Sequence, residues 1–177
     1  MAYQKLQVGL GLEVIPTDGS DIPNPAGPTT TGTGTTGTGV AGAVLTLVDA
    51  DADFIANGIK PGMVIYNTAD GLVGVVVSIT NATTLTAAVV ADVSWTETSA
   101  YTIYHETTDG CVLYVGGLQA TQDPEGVDLT IVTSSGSEVL MQNLLPGSFL
   151  PIQVRRVKET GTDTGDTAPY VKVVAFW

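Results

Sequence analysis

The sequence predicts an all-β protein: a small β-sandwich or barrel formed by the N- and C-terminal segments, with a second small β-barrel-like domain inserted into it. Gly, Thr, Val and Ala dominate in short runs with few large aromatics, a palette that suits thin pleated sheets better than helical bundles. Gly, Asn, Asp and Pro turn signals separate these runs at short intervals, the spacing of strands in a sandwich or barrel. With 44% hydrophobic residues, the chain has apolar surface enough for a packed core and too much for wholesale disorder.

The first element is a strand-like stretch from Tyr3 to Ile15. Pro23-Asn-Pro25-Ala-Gly-Pro28 and the Gly/Thr alternation running to Gly39 follow. That stretch predicts an extended or flexible connector over residues 26–39, not a helix or a packed strand. Its Gly-x-Gly pairs lack the Gly-Lys-Ser/Thr that a phosphate loop needs at the start of a helix.

Residues 40–105 read as a self-contained β unit. Val44-Leu-Thr-Leu-Val48 is a strand, and Asp49 to Gly58 is a polar turn with one short helical option. Met63-Val-Ile-Tyr66, Val73 to Ile79, Leu85 to Val90 and Tyr101-Thr-Ile-Tyr104 complete the set, each preceded by a turn signal.

Residues 106–177 repeat the style. Asp128 to Val132 and Glu138 to Met141 flank Thr133-Ser-Ser-Gly-Ser137, a hairpin whose Gly supplies positive φ. Strict alternation along Phe149 to Val157 leaves neither face wholly apolar. Tyr170 to Trp177 is an apolar strand that is either central in its own sheet or paired with a neighbouring subunit. The simplest topology closes residues 1–25 onto residues 106–177 around the inserted unit, with exposed loops at both borders.

The formal net charge is -12, from 6 Lys+Arg against 18 Asp+Glu. That balance argues against nucleic acid, whose phosphates call for a basic face, and against anionic membrane. It favours solubility through self-repulsion. The insert holds Asp49, Asp51, Asp53, Asp70, Asp92 and Glu97 against Lys60 alone, which marks it as the end turned to solvent. Met1-Ala-Tyr-Gln-Lys5 lacks the apolar stretch expected of a signal peptide, and the longest apolar window is too short to span a bilayer.

Few residues offer chemistry. Cys111 lies in an apolar run, reads as a buried small hydrophobe and implies no disulfide. His105 is the one imidazole, no Gly-x-Ser-x-Gly elbow is present, and no triad can be assembled. One His and one Cys cannot close a zinc site. Asp49, Asp51 and Asp53 resemble the start of a calcium loop, but the sixth and twelfth places hold Phe54 and Lys60 where Gly and Glu belong. They read as a solvated turn, with weak cation holding left open. No catalytic, cofactor or metal residues are therefore nominated. Arg155, Arg156 and Lys158 form the one basic cluster, read either as paired internally with acids such as Glu159 or Asp163 or as a docking patch. Trp177 with Phe176 is either core closure or an aromatic anchor of the kind enriched at interfaces. Tyr3, Lys5, Arg155, Arg156 and Trp177 are the candidate partner-interface residues.

Several stretches resemble small virion structural proteins of marine tailed phages, many infecting cyanobacteria. They are Met1-Ala-Tyr-Gln-Lys-Leu-Gln-Val8, Val14-Ile-Pro-Thr-Asp18, Ile22-Pro-Asn-Pro25, Gly110-Cys-Val-Leu-Tyr-Val-Gly116, Gly147-Ser-Phe-Leu-Pro-Ile-Gln-Val154 and Val173-Val-Ala-Phe-Trp177. Thr46 to Val77 looks like a module often inserted into such proteins. The resemblance implies a non-enzymatic particle component without cofactors, on the capsid surface. It would be a decoration or cement protein that binds the major capsid protein and stabilises the shell as a homotrimer. The alternatives are a head-fibre base, neck or tail protein, and a carbohydrate-binding adhesion module. For the last, the available insert aromatics are Trp95, Tyr66, Tyr101 and Tyr104, and the partner is a weakly held host-surface glycan.

Overall fold

A computed structural model describes residues 9–36, 44–69, 71–89, 98–117, 126–163 and 172–177. Among them the protein is all-β, with twelve strands in two six-stranded antiparallel arrangements. The chain divides into two units: Met1–Pro16 with Asp109–Trp177, and Thr17–Thr108.

The unit of residues 17–108 is a closed barrel. Its strands are β2 (Thr29–Thr36), β3 (Val44–Val48), β4 (Val64–Asn67), β5 (Leu72–Asn81), β6 (Thr84–Val89) and β7 (Thr98–Tyr104), in the order β2-β3-β6-β5-β4-β7. Alternation fills the interior. Leu45 and Leu47 from β3, Leu85, Ala87 and Val89 from β6, Tyr101 and Ile103 from β7 and Ile65 from β4 share one core. Phe54, wholly buried, enters it from the turn after β3. No helix forms at Asp53 to Gly58. Instead Asp53 Oδ1 accepts the Ala56 N–H at 2.9 Å, the side chain thus capping a turn.

Within the expected connector of residues 26–39, Thr29–Thr36 is a paired strand, and residues 37–39 lie outside the described residues. This strand, β2, is paired residue for residue with β7 from Thr29↔Tyr104 to Thr35↔Thr98, and with β3 at Thr35↔Val48 and Thr36↔Leu47. The period-two pattern that looked like low complexity is strand alternation. Thr29, Thr31, Thr33 and Thr35 face solvent, while Gly32 and Gly34 face in. Threonine is a strong strand former, and the inward glycines admit neighbours that a Cβ would displace. At Gly34 a Cβ would stand 2.5 Å from Leu47 Cδ1 and 2.9 Å from the Val48 carbonyl oxygen. The barrel also reaches further toward the N-terminus than the expected border at residue 40. Pro23 bridges Thr107, Asn24 N–H donates to the Glu106 carbonyl and Thr108 N–H to that of Ile22.

The other unit is one sheet in the order β1-β12-β8-β11-β9-β10. Its strands are β1 (Gly11–Val14), β8 (Cys111–Gly117), β9 (Val127–Thr133), β10 (Glu138–Leu144), β11 (Phe149–Val157) and β12 (Lys172–Phe176). The C-terminal strand β12 is central, between β1 and β8. Strand β11 shifts its pairing along its length: Phe149 and Leu150 pair with β8, Val154 pairs with both Cys111 of β8 and Thr133 of β9, and Arg156 and Val157 pair with β9. Register shifts mark both halves of the change, and such bulges bend a strand. The bend follows from chain length. Leu145 to Ser148 joins the far end of β10 to the start of β11, and four linking residues span at most about 18 Å. That is too short to walk back along β9 in a flat sheet, so the sheet folds over its own core of Cys111, Leu113, Val115, Leu129, Ile131, Leu150, Val154, Val173 and Ala175.

The bulge at Arg155 also resolves the ambiguous alternation of β11. Val154 and Val157 are both buried although three residues apart. The extra residue puts Arg155 and Arg156 together on the side away from the core. The β9–β10 hairpin turns at Gly136, whose φ of 91° only glycine adopts readily.

Candidate functional site

Among the described residues, those nominated from sequence do not form one constellation. Tyr3 and Lys5 lie outside the described residues. Arg155 and Arg156 are half-buried, and the Arg155 guanidinium reaches the β9–β10 turn, 3.9 Å from where a side chain at Gly136 would begin. Lys158 is held by both carboxylate oxygens of Glu138 at 3.0 Å, so internal pairing governs this member of the cluster, with Glu138 rather than Glu159 or Asp163. Trp177 is half-buried. Its N–H donates to the Leu10 carbonyl and its own carbonyl accepts from Gly9, extending the β1–β12 ladder.

What the fold does bring together is a row of aromatics on the outer face of the terminal-strand sheet. Leu113, Val115, Leu150, Val173 and Ala175 point into the core, so alternation turns Tyr114, Phe149, Val174 and Phe176 outward. Phe149 and Tyr114 lie 5.0 Å apart between ring centroids, and Phe149 and Phe176 lie 6.2 Å apart. Phe176 lies across Gly11, where a Cβ would stand 3.0 Å from its ring. Phe149 is 54% exposed, and Tyr114 and Phe176 are half-buried. Contacts of this kind add about 0.5–1.5 kcal/mol per pair, so the rings stiffen one another while leaving their outer surfaces free. The Lys172–Glu13 ion pair shares this face. Phe176 was nominated only alongside Trp177, while Tyr114 and Phe149 were missed. The signal was available in Cys111-Val-Leu-Tyr-Val115, where a tyrosine occupies the phase opposite to the core residues.

The aspartates at the barrel do not converge on a cation. Asp49 is buried, not solvated: its Oδ2 accepts the Tyr101 hydroxyl at 2.7 Å and its Oδ1 accepts the Asp51 N–H at 3.0 Å. Asp53 turns to the Ala56 N–H instead. Among the described residues no group of three or more His, Cys, Asp or Glu could hold a metal. His105 Nε2 meets Thr30 Oγ1 at 3.0 Å, a tie between β2 and the end of β7. Tyr66, Tyr101 and Tyr104 are buried at 7%, 2% and 8% exposure. They are therefore unavailable for stacking on a glycan, and Trp95 lies outside the described residues.

Three buried groups set a pH dependence. Burial, then the hydrogen bond and charge of Asp49, push the Tyr101 phenol well above the ordinary tyrosine value. Burial alone raises Tyr104, and burial pushes the Cys111 thiol, which donates to the Val154 carbonyl, up to about 12. Each group holds its proton more tightly folded than unfolded. Their contribution to stability is therefore complete below about pH 8.5 and is lost as pH rises, first through Cys111 and above about pH 10 through the tyrosines. The thermal midpoint is expected to fall steadily across that alkaline range. The tyrosinate absorbance of Tyr101 and Tyr104 should appear only with unfolding. Tyrosinate from all six tyrosines in a still-folded protein would contradict it.

Comparisons with protein-family models, with curated proteins and with solved structures find no match to this chain.

Proposed function

We propose that this protein is a non-enzymatic structural component of a phage virion, a decoration or cement protein that binds the major capsid protein on the outside of the shell. The observation that carries the reading is the row of exposed Phe149 with half-buried Tyr114 and Phe176 on a sheet face. Aromatics dominate interface energetics when a partner desolvates them. A shallow contact of this sort, repeated by symmetry over a shell, gains avidity without a deep site. The strongly acidic chain fits a surface that keeps particles apart. The virion context itself comes from the resemblance of the quoted stretches.

Copy number on purified particles tests the assignment. A decoration protein is present in hundreds of copies and a neck protein in about a dozen or fewer, as closed symmetry dictates. Phe149→Ala is expected to weaken binding to shells lacking the protein about tenfold or more, the loss typical of a central aromatic contact. Its thermal midpoint should fall by several degrees, because two ring contacts of about 0.5–1.5 kcal/mol each are lost, so binding is compared at a temperature where the variant is folded. Undiminished binding would remove the aromatic row from the interface. The N-terminal residues are read as an arm that lies along the shell, so deleting residues 1–8 should abolish shell binding, and undiminished binding would remove the arm from the interface. Cutting as far as Pro25 would also remove β1 and the barrel's contacts at Ile22 and Asn24.

A further inference from the structure

We propose that the free edge of β10 pairs antiparallel with β10 of a second copy of this chain, about a two-fold axis through Leu140. Strand β10 is the last in its sheet among the described residues, with β9 on one side only. Its residues are unusually apolar for an edge: Val139 is 40% and Leu140 51% exposed, and Leu145 just beyond is 61% exposed. Natural edges are guarded by shortness, proline, lysine or a bulge. The opposite edge, β1, is four residues long and followed by Pro16. Glu138 is a charge of the kind that guards an edge, but Lys158 holds it; from Val139 to Gln142 no charge or proline is present, and the bulge of β10 begins only after Met141, at Asn143 with its φ of 56°.

Hydrogen-bond phase and charge then select one occupant and one register. The Thr133 N–H donates to the Ser137 carbonyl, which makes Thr133–Ser137 a hydrogen-bonded pair of the hairpin. By antiparallel alternation, Ser137, Val139 and Met141 turn their backbone groups to β9. Glu138, Leu140 and Gln142 turn theirs to the open edge. An antiparallel pair centred on Leu140 places Leu140 opposite the partner's Leu140 and Glu138 opposite the partner's Gln142. Outward groups then meet outward groups at all three positions. Sliding one strand past the other by one residue would set outward groups against inward ones. Centring on Val139 also matches outward groups but sets each Glu138 carboxylate against the partner's Leu140. Centring on Glu138 sets like charges opposite each other, which is destabilising, and centring on Met141 or Gln142 sets Leu140 against a polar residue or runs into the bulge. In the remaining register each Glu138 keeps Lys158 as its counterion and faces a neutral amide. Val139 lies against the partner's Met141 on the other face, so both apolar rows are covered. The polar–apolar–apolar–apolar–polar order of Glu138 to Gln142 is its own complement in this register, so a second copy meets apolar with apolar and polar with polar at every position. The pairing is independent of shell binding, and it stands in place of the three-fold association implied by the resemblance.

The test is the mass of the full chain by sedimentation equilibrium, with two substitutions at the half-exposed Leu140. The intact protein is expected at twice the mass of the 18.2 kDa chain. Its association should tighten with added salt, because the net charge of -12 opposes it and is screened. Leu140→Lys should return the protein to single-chain mass. Leu140→Cys should oxidise rapidly to a covalent dimer, since hydrogen-bonded partners stand about 5.5 Å apart between Cα atoms, within disulfide reach. Val139→Cys, nearly as exposed but out of register with itself, should not, and the buried Cys111 should not contribute. Any one of three results overturns the proposal: a single-chain mass at every concentration, a dimer or trimer unmoved by Leu140→Lys, or cross-linking no faster for Leu140→Cys than for Val139→Cys.

Discussion

A fragment of residues 17–108 is expected to fold with a cooperative thermal transition, and a fragment of residues 40–105 to show none. The shorter fragment is the one that the turn signals of the sequence mark out as a unit. It lacks β2, and β2 closes the barrel through seven paired residues along β7 and two along β3. Without it, β3 and β7 become open edges, and Leu47, Tyr101 and Ile103 lose the wall that seals them from water. The Asp49–Tyr101 hydrogen bond loses the strand that keeps it dry. The ladder alone represents on the order of 5 kcal/mol, taking each net hydrogen bond at about 0.5–1.5 kcal/mol. Small domains have only about 5–15 kcal/mol in total, so this loss is enough to unfold the remainder. The longer fragment also keeps the Pro23–Thr107 bridge and its flanking hydrogen bonds, which hold the two chain ends of the barrel together. Circular dichroism and amide chemical-shift dispersion of the two fragments decide the matter. A well-dispersed spectrum from residues 40–105 would mean that β2 is an accessory strand.

The all-β class was legible because short Val, Ile, Leu and Thr runs between Gly, Asn and Asp turns leave little room for any other reading. Most strands of the barrel and the β9–β10 hairpin lie close to where those runs place them. The errors share a physical origin. Strand β2 was hidden because glycine lowers strand propensity when averaged over a window, whereas here it occupies only the inward phase, where close approach demands it. Strand β11 defeated strict alternation because a bulge adds one residue, and no periodicity announces a bulge. Asp49 was read with Asp51 and Asp53 because sequence proximity suggests a shared site. Its true partner, Tyr101, is 52 residues away and is reached only once the barrel closes. The aromatic row has the same character: Tyr114, Phe149 and Phe176 come from three strands, and only the order β12-β8-β11 brings them side by side.

The two phases of β2 are expected to respond oppositely to the same change. Gly34→Val should destabilise the protein by about 3 kcal/mol, the upper range for forcing bulk into a packed interior, whereas Thr33→Val should stay within about 0.5 kcal/mol. Both substitutions raise intrinsic strand propensity, so propensity alone predicts that both stabilise. The difference lies in what each side chain meets. At Gly34 the first added carbon already stands 2.5 Å from Leu47 Cδ1 and 2.9 Å from the Val48 carbonyl oxygen. Leu47 is 1% exposed and has no space to retreat into, and the Val48 carbonyl is fixed backbone. Thr33 faces solvent, where exchanging a hydroxyl for a methyl group changes little. For a domain of this size each kcal/mol moves Tm by about 4–8 °C. Thermal unfolding should therefore separate the two variants by more than about 10 °C. If Gly34→Val were as benign as Thr33→Val, β2 could not be seated over Leu47 and the barrel would have to close by some other contact. Gly32 gives an independent reading of the same seam, since a side chain there would occupy the place of the Tyr101 hydroxyl and the Asp49 carboxylate. Gly32→Ala should accordingly lower the alkaline midpoint as well as the stability, because it disturbs the contact that keeps the Tyr101 proton in place.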